Sequence, residues 1–204
     1  MLSLTRYTRL LLIGLVLVLA ARPLCARQRT FDLAHYGVRP HPTQNASPAF
    51  RQALASIQAE VQDGDTITLR LTAGTYHFLS EGASQLICYI SNHDHPGSRP
   101  IGLLLEGWRN VILRGEGSEL LFEDRMLPFV LDSCRGVELR GLTIDFPNPQ
   151  ITQLRILRSD TTKGITFAPA PWVKWRLTER GQLEAYGDNW RSIPEIGMAF
   201  DPES

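Results

Sequence analysis

Two adjacent polar residues, His93 and Asp94, form with His95 the densest cluster of potentially reactive side chains in the sequence. Imidazole and carboxylate groups are common metal ligands, but no third and fourth ligand can be identified near them. A metal is therefore not expected, and contact with a substrate is the stronger functional alternative for an exposed loop. The more common role of such a run is solvated or hydrogen-bonded loop side chains.

Asp145 is the carboxylate whose position best suits acid–base chemistry. Ile144 and Phe146 alternate toward the interior of a predicted strand, so Asp145 points outward onto a flat sheet face. The structural alternative is that Asp145 accepts backbone N–H bonds in the turn at 147–149. We favour the structural role, because acidic residues beside turns commonly serve it.

Three of the four tryptophans, Trp172, Trp175 and Trp190, lie in the last quarter of the chain. Their rings offer flat apolar platforms on which a ligand ring could stack. In a small folded unit such side chains more often fill the core, so burial statistics favour a core role over ligand contact.

The composition limits the class of protein. A length of 204 residues suits one domain or slightly more, and 43% hydrophobic residues are too many for a disordered chain. The 16 Gly and 13 Pro indicate many turns and disfavour a bundle of long helices. With 21 basic and 21 acidic residues the net charge is zero, which argues against a nucleic-acid interface. Cys88 and Cys134 could form a disulfide or stay free, and the sequence leaves both open.

Residues 1–26 have the pattern of a secretory signal. Arg6 and Arg9 precede an uncharged run from Leu10 to Ala21, and Ala26 suits the cleavage position. This run is too short to span a bilayer, which needs roughly 20 apolar residues. We therefore expect export to the periplasm or the outside, with no membrane attachment after cleavage.

A helix and then strands are expected next. Ser47 is a favourable N-cap for a helix over residues 48–62, because Pro48 follows it and apolar residues recur at helical spacing. The strand at 66–71 alternates, with Ile67, Leu69 and Leu71 on one face and Thr66, Thr68 and Arg70 on the other.

An internal repeat is the most informative pattern. The segments RNVILRG at 109–115 and RGVELRG at 135–141 agree at five of seven positions, 26 residues apart. They predict stacked coils in which Val111 and Leu113 pair with Val137 and Leu139, with glycine at each corner. A solenoid needs a cap, and the predicted helix suits that role. The composition changes near residue 150, since three of the four tryptophans and both lysines follow it. We therefore predict one unit over 27–150 and another over 151–204.

Several segments resemble a known family. The start of the predicted solenoid, FDLAHYGV with the helix and GDTITLRLTAGTYHF after it, is similar to the amino-terminal unit of right-handed parallel β-helix proteins. Four further segments resemble the exo-acting α-1,3-galactosidases of bacteria: YISNHDHP at 89–96, GEGSELLFEDRMLPF at 115–129, GLTIDFPNPQITQ at 141–153 and GITFAPAPWVKW at 164–175.

The resemblance implies an all-β fold: a right-handed parallel β-helix with an N-terminal capping helix, followed by the start of an inserted small β-barrel-like domain. It implies removal of terminal α-1,3-linked galactose, including from blood-group B glycans, with inversion and without a metal or other cofactor. Family members are much longer and carry their essential carboxylates on later coils. We therefore expect this chain to represent the amino-terminal part, without the catalytic coils.

Inverting hydrolysis needs two carboxyl groups beside the glycosidic bond, one as acid and one as base. Asp145 is the candidate for one of them, and no second is identified. For the galactose-terminated glycan the candidate contacts are His93, Asp94, Trp172 and Trp175. Whether branched or linear α-1,3-galactose is preferred, and which oligomer forms, is left open.

Two other functions fit the same sequence. One is a non-catalytic β-helix module that binds glycans, or an inactive remnant. The other is a different β-helix carbohydrate enzyme such as a polysaccharide lyase, for which Arg114 and Arg140, one coil apart, could neutralise a substrate carboxylate. Solvated arginines are the more common outcome, and dependence on calcium would indicate the lyase.

Overall fold

The computed structural model describes residues 27–89, 97–123, 125–149, 152–187, 190–194 and 197–201. The predicted signal at 1–26 and the cluster with His93 and Asp94 lie outside the described residues. Strands predominate in the described part, which confirms the all-β class. Among the described helices none is long and apolar enough to cross a membrane.

The described strands are β1 (Gln28–Asp32), β2 (His41–Asn45), β3 (Thr66–Arg70), β4 (Thr75–Phe78), β5 (Ser84–Cys88), β6 (Gly97–Glu106), β7 (Arg109–Phe122), β8 (Leu127–Asp132), β9 (Arg135–Asp145), β10 (Leu154–Asp160), β11 (Gly164–Pro169), β12 (Trp175–Leu177), β13 (Leu183–Tyr186) and β14 (Arg191–Ser192). A short 3-10 helix, Leu33–Tyr36, follows β1, and the helix α1, Ser47–Glu60, follows β2.

Parallel pairing stacks strands from successive parts of the chain. In the first ladder β1 pairs with β3, β3 with the start of β7, and β7 with the start of β9. Val111 and Leu113 are the register partners of Val137 and Leu139, which confirms the predicted 26-residue repeat. The inward residues of β3 and β7 are buried because they alternate with outward ones along each strand.

Two further ladders run beside the first. In the second ladder β2 pairs with β4, β4 with the end of β7, and β7 with the end of β9, all in parallel. In the third, β5 pairs antiparallel with β6, and β6 pairs parallel with β8. Strand β7 thus belongs to two ladders. Its bend separates the outward surface of the first ladder from that of the second.

Glycine is required where β7 bends. A Cβ atom on Gly115 would lie 2.5 Å from the carbonyl oxygen of Gly141 and 2.6 Å from the Cβ of Leu142. The bend continues through Glu116 and Gly117, with φ angles of 51° and 83°. Without a side chain at Gly115, β9 can approach β7 closely on both sides of the corner. The predicted glycine corner is therefore confirmed.

Helix α1 packs its apolar side, with Phe50, Leu54 and Ile57, into the core, as predicted. The predicted N-cap is wrong. Ser47 is the first helical residue, and its hydroxyl donates to the carbonyl oxygen of Leu79 at 2.7 Å. Its backbone N–H donates instead to Oδ1 of Asn45 at 3.0 Å, so a neighbouring strand end supplies the cap.

Cys88 and Cys134 are free thiols, which decides the question that the sequence left open. Cys134 is partly buried, and its Sγ lies 3.1 Å from the carbonyl oxygen of Leu105. A thiol in such a position acts as a small apolar side chain with a weak donor.

After residue 150 the strands pair antiparallel. β10 and β11 form a hairpin, and β12, β13 and β14 form a separate sheet. Within the described residues neither sheet joins the parallel ladders by strand pairing. The domain boundary near residue 150 and the barrel-like arrangement of 151–204 stay predictions.

Candidate functional site

The outward surface of the second ladder brings acidic side chains together. Along β4 and β7 the inward residues are fully buried aromatic and aliphatic side chains: Tyr76, Phe78, Leu120 and Phe122. Alternation therefore places Thr75, His77, Glu119, Leu121 and Asp145 on the opposite side. Glu123 directly follows β7 and reaches His77 on this side, which we call the carboxylate face.

A histidine and a glutamate pair at the centre of the carboxylate face. The Nδ1 atom of His77 lies 2.9 Å from Oε1 of Glu123, and both side chains are largely shielded from solvent. The backbone N–H of Glu123 donates to the carbonyl oxygen of Phe78 at 3.1 Å. A carboxylate at Nδ1 orients the imidazole and leaves Nε2 available to a ligand. This pair was not predicted, although period-two alternation in TYHF would have placed His77 outward.

Glu119 lies one row away on the same face. It is the register partner of Thr75, whose hydroxyl donates to Oε2 of Glu119 at 3.4 Å. Thr143 is the partner of Glu119 on the other side, so a carboxylate stands between two hydroxyls. Such a row can exchange hydrogen bonds with the hydroxyl groups of a ligand.

Asp145 lies outward, as predicted, and is exposed to solvent. Its register partner is Leu121, so Glu119 on β7 is its diagonal neighbour, and Glu123 directly follows that strand. Strand spacing and rise place the Cα atom of Glu119 roughly 8 Å from that of Asp145. Asp145 therefore has an acidic side chain as its diagonal neighbour on the carboxylate face.

Asp145 also accepts a backbone hydrogen bond directly before the turn at 147–149. The backbone N–H of Phe146 donates to Oδ1 of Asp145 at 2.7 Å. Ile144 pairs with the buried Leu120 but is itself 42% exposed, because β9 is the last strand of this ladder among the described residues. The structure is thus compatible with both roles for Asp145.

The tryptophans differ from one another. Trp172 and Trp175 are 48% and 46% exposed, so the expectation that they fill a core is wrong for these two. Trp190 lies against Gly187, where an added Cβ would be 2.1 Å from its Nε1 atom. Half-exposed rings can contact a ligand, and the proposed binding role of Trp172 and Trp175 stays a prediction.

The other predicted site residues have no described geometry. His93 and Asp94 lie in the segment outside the described residues. In the described ranges no group of three His, Cys, Asp or Glu side chains is arranged to hold a metal ion.

The outward surface of the first ladder carries the opposite charge. Arg114 and Arg140 are register partners, as their outward positions one coil apart predicted. The structure adds Arg70, the partner of Arg114 on the other side, which the sequence did not connect with them. We call Arg70, Arg114 and Arg140 the arginine row.

Comparison with known proteins identifies the family. No protein-family model matches the chain. It is 38% identical, over 93% of its length, to an alpha-1,3-galactosidase B of Bacteroides fragilis. Relatives of the same name from Phocaeicola vulgatus and Parabacteroides distasonis are 39% identical over 94% of the chain and 36% identical over 88%.

The chain belongs to the α-1,3-galactosidase family. It spans 32%, 32% and 29% of the lengths of these three relatives. The family resemblance inferred from short segments is therefore confirmed across most of the chain.

Proposed function

We propose that this chain is part of a glycoside hydrolase that removes terminal α-1,3-linked galactose from glycans such as blood-group B structures. The observation that carries the proposal is the identity of 36–40% to proteins named alpha-1,3-galactosidase B over about 90% of the chain. We further propose that hydrolysis inverts the anomeric configuration and needs no metal.

The proposed architecture is a right-handed parallel β-helix capped by α1, with 151–204 beginning an inserted small barrel-like domain. The three ladders and the 26-residue offset between β7 and β9 support stacked coils.

Export through removal of residues 1–26 completes the proposal. N-terminal sequencing of secreted protein tests it, because a start other than residue 27 contradicts the predicted cleavage.

The proposed glycan contacts are His93, Asp94, Trp172 and Trp175, and Asp145 is the candidate acid or base within this chain. The exposed rings of Trp172 and Trp175 support stacking on the apolar face of a sugar. Two carboxylates of the same face, Glu119 and Glu123, support a carboxyl pair that includes Asp145.

The test is hydrolysis of p-nitrophenyl α-galactoside and of blood-group B trisaccharide by the 204-residue chain, with folding checked by circular dichroism. Initial release of β-galactose, detected by proton NMR, is expected for an inverting enzyme, and EDTA should leave the rate unchanged. Asp145→Asn should abolish the hydrolysis if Asp145 belongs to the carboxyl pair. Its matched control is Asp132→Asn, on the third ladder away from the carboxylate face.

A folded chain without turnover would overturn hydrolysis by this chain. The second candidate function, a glycan-binding module, is favoured by the exposure of Trp172 and Trp175. It predicts binding of blood-group B trisaccharide without release of galactose, and loss of that binding in Trp175→Ala. Cleavage that requires calcium would instead indicate a polysaccharide lyase.

A further inference from the structure

The arginine row is built by register. Arg70, Arg114 and Arg140 occupy partner positions on three adjacent parallel strands, so their Cα atoms follow one another at about 4.8 Å. Their inward neighbours Leu69 and Leu113 are 1% exposed and hold the strands in place. Like charges on neighbouring strands repel one another, so such a row is unfavourable unless other charges oppose it.

Carboxylates oppose the two outer members. Arg70 pairs with Asp32 at 2.9 Å, and Asp32 is its register partner on β1. Arg140 pairs through two nitrogens with the carboxylate of Glu138, two residues earlier on the same strand. The hydrogen bonds from Arg70 and Arg140 lower the pKa values of Asp32 and Glu138 respectively, so both acids stay ionised near neutral pH.

Arg114 is different. Among the described residues no carboxylate pairs with its guanidinium group, although it is exposed and lies between two other arginines. Of the two positions two residues away on its own strand, Ile112 carries no charge, and Glu116 lies beyond the corner at Gly115. In the part of the chain that the structure describes, Glu116 makes no ion pair with Arg114. The three guanidinium groups and the two carboxylates that pair with them sum to one positive charge, which belongs to Arg114.

We propose that Arg114, flanked by Arg70 and Arg140, binds an anionic substituent of a glycan, either a sulfate ester or a sugar carboxylate. Arginine presents a planar fork of donors that matches the oxygens of either group. An anion at Arg114 also relieves the repulsion within the row. That the anion belongs to a glycan rests on the proposed function, whereas the anion site itself rests on the row.

The experiment measures binding of the 204-residue chain to immobilised dextran sulfate, to polygalacturonate and to neutral dextran. Binding to one or both acidic polymers, and none to neutral dextran, is expected. The acidic polymer bound more tightly shows whether sulfate or carboxylate is preferred. Equal binding to all three, or to none, would overturn the proposal.

Three variants locate the site. Arg114→Gln should weaken binding about tenfold, as expected for loss of one charge-assisted contact. It should also make the fall of log affinity with log salt concentration less steep, by about one unit of slope. Glu138→Gln should tighten binding, because it releases Arg140. Arg155→Gln removes the same charge from an exposed position on β10 and should leave binding unchanged.

Equal weakening by Arg114→Gln and Arg155→Gln would mean non-specific attraction and would overturn the site. Duplex DNA is a further arm, and binding of DNA as tight as that of the acidic polymers would overturn the assignment to glycans. Hydrolysis of a neutral α-galactoside is measured on the same variants. If Arg114→Gln weakens binding of the acidic polymers but leaves hydrolysis unchanged, the anion site is separate from the site of hydrolysis. If no variant hydrolyses the galactoside, the comparison of polymer binding among the variants still tests the anion site.

Discussion

The arginine row and the carboxylate face carry opposite charges, although strand β7 contributes to both. Before the corner at Gly115 it places Arg114 in the row, and after the corner it places Glu119 on the carboxylate face. The chain has a net charge of zero, but neither of these two surfaces is neutral. The local charge of each surface, more than the total, determines which ligands approach it.

The interior beneath the two surfaces also differs. Aliphatic side chains such as Leu69 and Leu113 lie under the arginine row. Beneath the carboxylate face Phe78 and Phe122 stack with their ring centroids 4.6 Å apart, and Tyr76 is fully buried beside them. Large rings bury more apolar area, so we expect the support of the carboxylate face to contribute more to stability.

The largest expected effect tests that difference in support. Phe122→Ala should lower the free energy of unfolding by about 4 kcal/mol, because the ring is fully buried and stacked. Leu113→Ala, at an equally buried position under the arginine row, should cost about 3 kcal/mol. Urea unfolding followed by circular dichroism measures both. A larger loss in Leu113→Ala would reverse the comparison.

The second prediction breaks the corner on which both surfaces depend. Gly115→Ala should destabilise the protein by about 3 kcal/mol, because the new Cβ meets the backbone of Gly141, which cannot rotate away. Gly97→Ala is the matched control: its added Cβ would meet atoms of Arg99 no closer than 3.7 Å. Similar melting temperatures for the two variants would show that β9 moves away at little cost.

The third prediction concerns alkaline pH and the support of the carboxylate face. Burial raises the pKa of Tyr76 to about 12, whereas tyrosine in an unfolded chain ionises near pH 10. The unfolded chain therefore loses its proton first, and the free energy of unfolding should fall by about 2 kcal/mol between pH 10 and pH 12.

Tyr76→Phe should remove that part of the alkaline loss. It should also cost about 1 kcal/mol at pH 7, because the hydroxyl donates to the carbonyl oxygen of Thr72 at 2.7 Å. Some alkaline loss should persist, because burial also raises the pKa of Tyr36. Identical pH profiles for the variant and the parent chain would contradict the assignment to Tyr76.

The smallest expected effect is a difference in stability between the two ion pairs of the arginine row, Asp32–Arg70 and Glu138–Arg140. Hydrogen bonds from Arg70 and from the backbone N–H of Ala34 lower the pKa of Asp32, so its contribution is present above about pH 4 and is lost as pH falls further. Asp32→Asn should cost about 0.5 kcal/mol at pH 7 and flatten the acid limb of the stability curve.

Glu138→Gln serves as the comparison, because the Glu138–Arg140 pair lies at the surface and solvent screens it. We expect no measurable change in melting temperature from this substitution. A larger loss in Glu138→Gln than in Asp32→Asn would show that the exposed pair is the stronger support of the row.

Part of the fold and of the candidate site could be predicted from local patterns. Alternation identified the inward side of β3 and the outward position of Asp145, because side chains alternate in any strand. The role of Ser47 and the exposure of Trp172 and Trp175 were not predicted correctly. The role of Ser47 depends on a distant neighbour, because its hydroxyl bonds to a residue 32 positions away in the sequence.

The sequence by itself determined the family, the buried side of each repeat strand and the 26-residue offset, because these follow from identity and from period-two alternation. Only the tertiary structure decided which outward side chains share a row. Leu69 is 38 residues from its partner on β1 and 44 from its partner on β7, since α1 and the β5–β6 hairpin lengthen the connections. Those offsets bring Arg70 beside Arg114, and the parallel pairing of β4 with β7 brings His77 to Glu123.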